Sequence, residues 1–360
     1  MLSDRAALVA AVCANPAEDT PRLVFADWLQ ESGEPERAEF VRAQCALARA
    51  EDEYDGSYAM YEFLRRVYPT GLAATKWQRI DPGVKRLVDL HARCDKLLRK
   101  HGARWRPQGP GRRAKWGTFR RGFPYRVELR SARGLGALAA GLRGTVPPVE
   151  LAARDALPRV LDLFDEPGSL DWLSAVDTTG AGLRDLGHRS EARNVSDLRV
   201  RGPGDGEPSI PTALGAPNWT GLRTLHLSDG LISRATAEAL LRLPNLRTLR
   251  HLRLRAHDAW VADPVRTLAV DGFTELRTLG IEACGLGDEA AEVLASCADL
   301  KNLRHLELRD NSITGRGVTA LLTSPHLANL VYLGLERNPC AGVDTNGLAG
   351  AAPGGLRLFH

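Results

Sequence analysis

The chain of 360 residues carries a formal net charge of +4, with 44% hydrophobic and 26% charged residues. This composition is typical of a water-soluble globular protein, and the length allows two ordinary domains or one elongated one. No apolar run approaches the roughly 20 residues of a membrane-spanning helix. The six cysteines form no CxxC pair and no disulfide-framework spacing, so we expect reduced thiols and a cytoplasmic location.

The first elements are predicted to be helices. The stretch "AALVAAVCA" follows Asp4 and Arg5 and precedes acidic residues, which favours an amphipathic helix over a signal peptide. In "DTPRLVFADWLQESGEPERAEFVRAQ" (19–44), Asp19 or Thr20 is placed to cap a helix that has a proline at its first position. "SGEPE" breaks that helix, and a second one is expected over 36–50. The sequence therefore predicts a helical hairpin, with further helices over 60–68 and 83–102. One face of the first helix is expected to carry Leu23, Val24, Trp28 and Leu29, and one stripe of the second is expected to carry Ala38, Val41, Cys45 and Ala48.

The charged residues of this hairpin are of types that catalyse reactions in other proteins. An acid/base role for Asp27 and Glu39 would need surroundings that separate their pKa values. Glu39 and Arg42 stand three residues apart on the predicted helix, the spacing of a helical ion pair. We therefore interpret these charges as part of the scaffold, with no catalytic residue among them.

The stretch 19–44 resembles the bacterial repeat-companion domain, a small helical module that is commonly found ahead of leucine-rich or other repeats. The resemblance is close over about residues 5–50, and the downstream "HGARW" and "FRRGF" resemble the linker that often follows the module. It implies a helical module over residues 1–100 and a basic, aromatic linker over 101–124. No activity is established for the family, so the resemblance implies no catalytic residues.

Charge is distributed unevenly along the chain. Residues 1–62 contain thirteen acidic and five basic residues, whereas residues 96–133 contain thirteen basic residues and Glu128 as the one acidic residue. Aromatic residues interleave with the arginines of 96–133, a mixture that clamps phosphates and stacks on bases. The alternative is that these arginines meet the acidic N-terminal helices. A nucleic-acid or polyanion site in 96–133 would use Arg112, Arg113, Lys115, Trp116, Arg120 and Arg121.

Residues 125–194 are predicted to form irregular leading repeats or a cap. "YRVELR" (125–130), "GLGALAAGL" (134–142) and "PVELAAR" (148–154) are typical of a strand, a helix and a strand. The region 155–194 fits no register. Terminal repeats are often atypical because they cap the stack, and an insertion is the alternative.

From residue 195 the pattern "LxxLxL" recurs every 27 residues, and all eighteen positions of its three apolar columns are Leu, Ile or Val. A second apolar column contains Trp219, Leu246, Phe273, Leu300 and Leu327, and a third position contains Cys284, Asn311 and Asn338. Asn there can bond the backbone of the turn after the strand. These residues resemble ribonuclease-inhibitor-like leucine-rich repeats over 195–360. The fold class expected is α/β: a solenoid of 27-residue strand–helix repeats, curved with its strands inside, preceded by a small all-α module.

In each "LxxLxLx" strand, the third, fifth and seventh residues are expected to point out of the concave face. Six strands span about 25 Å, the width of a standard protein interface. We therefore expect a protein partner on this face, with Arg253, Arg255, His305 and Tyr332 as anchors because Arg and Tyr are typical of binding hot spots. The candidate residues are Arg199, Arg201, His226, His251, Arg253, Arg255, Glu282, His305, Glu307, Arg309, Tyr332 and Glu336.

Motifs for other chemistry are missing from the sequence. It contains no GxxxxGK[ST], HExxH or GxSxG motif. His251 and His305 lie on outward positions two repeats apart, about 10 Å, with no Asp or Cys to complete a metal site. The sequence therefore predicts a non-enzymatic recognition protein without cofactor or metal, and polyanion binding through 96–133 is the alternative.

Overall fold

The structure is a computed structural model. It divides the chain into two units, Met1–Ser174 and Ala175–His360. The described residues are 4–15, 18–53, 82–106, 114–117, 119–129, 149–154, 173–178, 180–201, 209–228, 233–256, 263–270, 272–330, 332–340 and 357–359.

Four described helices build most of the first unit: α1 (Asp4–Ala14), α2 (Thr20–Glu31), α3 (Pro35–Glu53) and α4 (Pro82–Trp105). The predicted hairpin of α2 and α3 is confirmed, and so is the helix predicted over 83–102. Gly33 between α2 and α3 has a φ of +83°, a backbone conformation that favours glycine. The helix predicted over 60–68 lies outside the described residues.

The core of the first unit lies on both sides of α3. One cluster contains Phe40, Leu47 and Leu87, and another contains Phe25, Leu29 and other buried residues. The stripe predicted for α3 is buried as expected. The face predicted for α2 was wrong in part, because Val24 is 48% exposed whereas Phe25 and Ala26 are buried. Positions 22, 25, 26 and 29 follow the 3.6-residue period of the buried face.

Asp19 does not cap α2 as the sequence suggested, because its side chain makes no capping hydrogen bond. Its carboxylate instead binds Arg49 at 2.7 Å and Arg121 at 2.5 Å. Asp19 thus links α2 to α3 and to the hairpin that follows α4. A charged pair offers the carboxylate stronger hydrogen bonds than backbone amides do.

Short strands complete the first unit: β1 (Ala114–Trp116), β2 (Phe119–Arg120), β3 (Phe123–Pro124), β4 (Arg126–Leu129) and β5 (Val149–Arg154). The strands predicted within 125–130 and 148–154 are confirmed, and the helix predicted over 134–142 lies outside the described residues. β4 pairs antiparallel with β1 and parallel with β5.

The hairpin of β2 and β3 packs against α3. Arg121 and Gly122 form its turn with φ values of 49° and 88°, as a two-residue hairpin turn requires. A Cβ at Gly122 would lie 2.8 Å from Cγ2 of Val41, so only glycine allows this approach. Phe119 and Phe123 are buried on either side of the turn.

The second unit contains parallel strands that pair in chain order. Thr224 of β8 lies opposite His251 of β9, which lies opposite Thr278, then His305, then Tyr332. Each step is 27 residues, so the predicted repeat register is confirmed. The strands are β6 (Leu173–Thr178), β7 (Asp197–Val200), β8 (Thr224–Leu227), β9 (His251–Arg255), β10 (Thr278–Glu282), β11 (His305–Glu307), β12 (Tyr332–Gly334) and β13 (Arg357–Phe359).

Helices connect these strands, and consecutive helices pack on one another. They are α5 (Gly180–Gly187), α6 (Ser209–Leu214), α7 (Arg234–Leu241), α8 (Asp263–Val270), α9 (Asp288–Ser296) and α10 (Gly315–Thr323). The apolar columns form the core between strands and helices, where Trp219, Phe273 and Leu300 are fully buried. The sequence between 155 and 194, which fitted no register, supplies β6 and α5.

The turns after β10 and β11 share one hydrogen-bonding design. Asn311 accepts hydrogen bonds from the amides of Cys284 (3.1 Å) and Leu286 (3.0 Å) of the preceding repeat. It also donates to the carbonyl oxygens of Ile281 (2.7 Å) and Leu308 (2.8 Å). Asn338 repeats this pattern one repeat later. The predicted role of asparagine at this position is therefore confirmed.

Candidate functional site

The register of the second unit aligns the outward positions of β7 to β12 on one side of the sheet, which we call the ladder face. In β8 and β9 half-buried and buried residues alternate, and the half-buried ones belong to this face. Arg199 lies opposite His226, and His226 lies opposite Arg253. The ladder face consists of the outward residues of β7 to β12 and of four residues that continue the same alternation one or two positions beyond a strand end (Arg201, Ser228, Arg309 and Glu336). Its residues are Asp197, Arg199, Arg201, Thr224, His226, Ser228, His251, Arg253, Arg255, Thr278, Gly280, Glu282, His305, Glu307, Arg309, Tyr332, Gly334 and Glu336.

One end of the ladder face is basic. Its basic cluster is formed by Arg199 of β7, by Arg201 directly after β7, and by Arg253 and Arg255 of β9, and these two strands flank His226 of β8. Burial lowers the pKa of His226 to about 3, and the positive charges of the four arginines act in the same direction. The imidazole is therefore neutral at physiological pH, and the arginines supply the positive charge at this end.

A buried carboxylate joins the basic cluster to the rest of the ladder face. Glu282 is fully buried, and it binds both Arg253 and, at 2.5 Å, Arg309. Two guanidinium groups compensate the desolvation of this carboxylate. Gly280 leaves room for the Arg253 side chain, since a Cβ there would lie 3.0 Å from Cγ of Arg253.

The other end of the ladder face is acidic. Tyr332 donates a hydrogen bond of 3.0 Å to Oε2 of Glu307. Burial raises the pKa of Glu307 to about 7, and the negative charges of Glu282 and Glu336 add to this effect. His305 lies beside Tyr332, with 6.3 Å between ring centroids, and both side chains are largely buried. These contacts fix the orientation of the phenol ring.

Two residues outside the predicted set complete this charge network. Asp310 binds Arg337 at 3.0 Å and Arg309 at 3.3 Å. Ala283, Asp310 and Arg337 have φ values of 54°, 58° and 58° and are spaced by 27 residues. They occupy the same turn position of consecutive repeats, immediately before Cys284, Asn311 and Asn338. The 27-residue period carries a signal for these two residues, which follow the last outward strand position of their repeats by one residue.

The residues of the alternative polyanion site have other surroundings. Arg121 binds Asp19 at 2.5 Å and Asp52 at 3.1 Å, so it meets the acidic helices of its own unit. The guanidinium of Arg120 lies 5.4 Å from the ring centroid of Tyr125. Lys115 and Trp116 belong to β1, whereas Arg112 and Arg113 lie outside the described residues. The aromatic rings of Phe119 and Phe123 are buried and are not available to stack on bases.

The charged residues of the helical hairpin form ion pairs between elements. Arg42 binds Asp27 at 2.7 Å, and Arg93 binds Glu39 at 2.8 Å. The predicted pair of Glu39 with Arg42 is thus replaced by pairs that link α3 to its neighbours. Within the described residues, no three His, Cys, Asp or Glu side chains are grouped as metal ligands. In the same part of the chain, no helix has the length and apolar character needed to span a membrane.

The 27-residue register and the asparagine turns define a repeat protein with parallel strands linked by helices. No family model matches the chain, and no curated protein matches it. Among solved structures it is similar to an internalin of Listeria monocytogenes, with 16% identity, a TM-score of 0.32, and coverage of 65% of this chain and 79% of the internalin.

The chain is also similar to two receptors of known structure. For plant peptide hormone receptor RGFR1 in complex with RGF2, the identity is 14% and the TM-score 0.26, and the match covers 56% of this chain and 41% of the receptor. For a TDR receptor, the identity is 14% and the TM-score 0.29, with coverage of 57% and 46%. The chain thus spans less than half the length of either receptor chain.

Proposed function

We propose that the chain is a non-catalytic recognition protein that binds a protein partner on the ladder face, as the concave surface of a leucine-rich-repeat solenoid. The observation that carries the proposal is the separation of charge on this face. At one end, four arginines on or next to β7 and β9 outnumber Asp197, and at the other end Glu307 and Glu336 outnumber Arg309. A partner segment of complementary charge would bind in one orientation only.

The size of the ladder face limits what it can bind. The six strands β7 to β12 span about 25 Å at the usual strand spacing, which matches about eight residues of an extended peptide. The face is also held in place before binding. Glu282 fixes two arginines, and Glu307 fixes Tyr332, so these side chains lose little conformational entropy on binding.

Site-specific crosslinking in the source cells tests the proposal. A photoreactive phenylalanine analogue at Thr224, on the ladder face, should give a discrete protein adduct. The matched control places the same analogue at Thr319, which is exposed on α10. An adduct formed from Thr319 alone, or equally from both positions, would assign recognition to another surface. No adduct from either position would count against a partner on the ladder face.

A further inference from the structure

The first unit contains a pocket of about 460 Å³ that is separate from the ladder face. It is bounded by α1, by the α2–α3 turn, by the C-terminal end of α4 and by β3. This volume lies within the range of small-molecule sites, about 300–1,000 Å³. Val9, Phe25, Trp105 and Phe123 supply an apolar wall that includes three aromatic rings.

Arg37 lines this pocket and carries a buried charge. Its side chain is 6% exposed, and its Nη2 donates a hydrogen bond of 2.8 Å to the carbonyl oxygen of Gly122. Its Nη1 is buried without a hydrogen-bond partner, and no carboxylate of the described residues lies within 4.0 Å of the guanidinium. Burial lowers the pKa of Arg37 to about 9, so the group is still charged at neutral pH.

Aromatic rings compensate this charge only in part. The guanidinium carbon lies 4.9 Å from the Trp105 ring centroid, and Phe40, Phe119 and Phe123 lie 5.6 to 6.0 Å away. Cation–π contacts of this kind are attractive, but they do not replace a counter-ion. A negatively charged ligand in the pocket would supply one.

The rim of the pocket is basic as well. Arg104 and Arg106 line it, are exposed, and form no ion pair with any described residue. Arg5 also lines the pocket, but it binds Glu34 at 2.6 Å. With Glu36 as the second acidic residue of the lining, four arginines face two glutamates, so positive charge remains at the opening.

We propose that this pocket binds a small organic anion: an aromatic ring that carries a phosphate or carboxylate group. The ring would pack on Trp105 and Val9, which are only partly buried, and the anionic group would lie toward Arg104, Arg106 and the charge of Arg37. Arginine favours such planar anions because its guanidinium binds them with two parallel hydrogen bonds. The proposal is independent of partner binding on the ladder face.

Calorimetric titration of the full chain with 1-naphthyl phosphate tests the proposal. We expect this probe to bind at least about tenfold more tightly than 1-naphthol, which lacks the charge, or inorganic phosphate, which lacks the ring. Arg104→Gln combined with Arg106→Gln should weaken binding about fivefold or more, because both changes remove charge from the rim. Arg99→Gln is the matched control, since Arg99 is exposed on the same helix and does not line the pocket.

Arg37→Met tests the buried charge while it keeps the apolar volume of the side chain. If this variant folds, it should lose the preference for the phosphate over 1-naphthol. If it does not fold, the rim variants alone decide the question. The proposal is overturned if 1-naphthyl phosphate does not bind up to 10 mM, a limit that corresponds to about −3 kcal/mol. It is also overturned if 1-naphthol binds equally well, or if the rim double variant binds like the wild type.

Discussion

Glu282 and Glu307 lie on adjacent strands of the ladder face and have different surroundings. Glu282 is fully buried and binds two arginines, whereas Glu307 accepts a hydrogen bond from the neutral hydroxyl of Tyr332. Glu307 also faces the like charges of Glu282 and Glu336, which help to raise its pKa. The carboxylate of Glu282 thus stabilises the fold, whereas the ionised carboxylate of Glu307 destabilises it.

Glu307→Gln should stabilise the second unit in a pH-dependent manner. Because the folded-state pKa of Glu307 is raised to about 7, its favourable contribution is present at acidic pH and is lost as pH rises through 7. The neutral amide avoids that loss and can still accept the Tyr332 hydrogen bond. We expect the Tm difference between variant and wild type to be small at pH 4.5 and to grow up to about pH 8.

Thermal unfolding monitored by circular dichroism from pH 4.5 to 8.5 measures this difference. Glu275→Gln is the control, because Glu275 is exposed in the same unit and should give no such trend. A Tm difference for Glu307→Gln that stays constant across this range would mean that Glu307 does not titrate as described.

Asn311→Ala should destabilise the second unit by about 3 kcal/mol, since it leaves several buried backbone groups without hydrogen-bond partners. The lost bonds are those to the amides of Cys284 and Leu286 and to two carbonyl oxygens. Urea unfolding gives the free energy. Asn302→Ala is the comparison, because Asn302 makes one exposed hydrogen bond. This substitution should lower the free energy of unfolding by less than about 1 kcal/mol. If the two variants lose the same free energy of unfolding, the asparagine turns stabilise the fold no more than an exposed hydrogen bond does.

Among the elements, the repeats could be predicted better than the helical module. The apolar columns determine which side of each strand is buried, because successive side chains of a strand point to opposite sides. Leu198, Leu225 and Leu306 belong to these columns and are buried. In α2 the predicted face was wrong at Val24, which is exposed, whereas Leu23, Trp28 and Leu29 pack in or against the core as expected. The cap expected from Asp19 was wrong because its partners, Arg49 and Arg121, are distant in sequence.

Leu306→Asp should unfold the repeat region, because Leu306 is fully buried and the change places an unpaired charge between stacked strands. Loss of the cooperative thermal transition of the second unit is the expected result. Lys301→Asp, at an exposed position five residues earlier, should leave the transition within a few degrees of wild type. A wild-type melting curve for Leu306→Asp would exclude the assigned register.

Asp19→Asn should destabilise the helical module by about 1–3 kcal/mol, since it removes the charge that Arg49 and Arg121 share. The part of this loss that involves Arg49 is expected to be small, because that side chain is half exposed. Chemical unfolding followed by tryptophan fluorescence measures the change. Asp27→Asn, which affects a more exposed pair with Arg42, is the control and should cost less. A smaller loss for Asp19→Asn than for Asp27→Asn would contradict the linking role of Asp19.

At the scale of the molecule, the sequence indicated which residues share the ladder face but not how their charges are neutralised. Column alignment alone places Arg253, Glu282 and Arg309 on that face. Their bonding to one another depends on side-chain directions across three strands, which the repeat period does not determine. In the first unit, the Arg37 pocket combines residues from α1, α3, α4 and β3, and no sequence pattern connects them.

Peptide selection against the purified chain tests the central claim, recognition by the ladder face. Phage-displayed random dodecamers bound by the wild type should carry acidic residues toward one end and basic residues toward the other. They should lose at least about tenfold in affinity for the Arg201→Glu, Arg255→Glu double variant, because like charges then face each other. Arg266→Glu, at an exposed position of α8, is the matched control and should bind them unchanged. Selected peptides that bind the double variant as tightly as the wild type would contradict the claim.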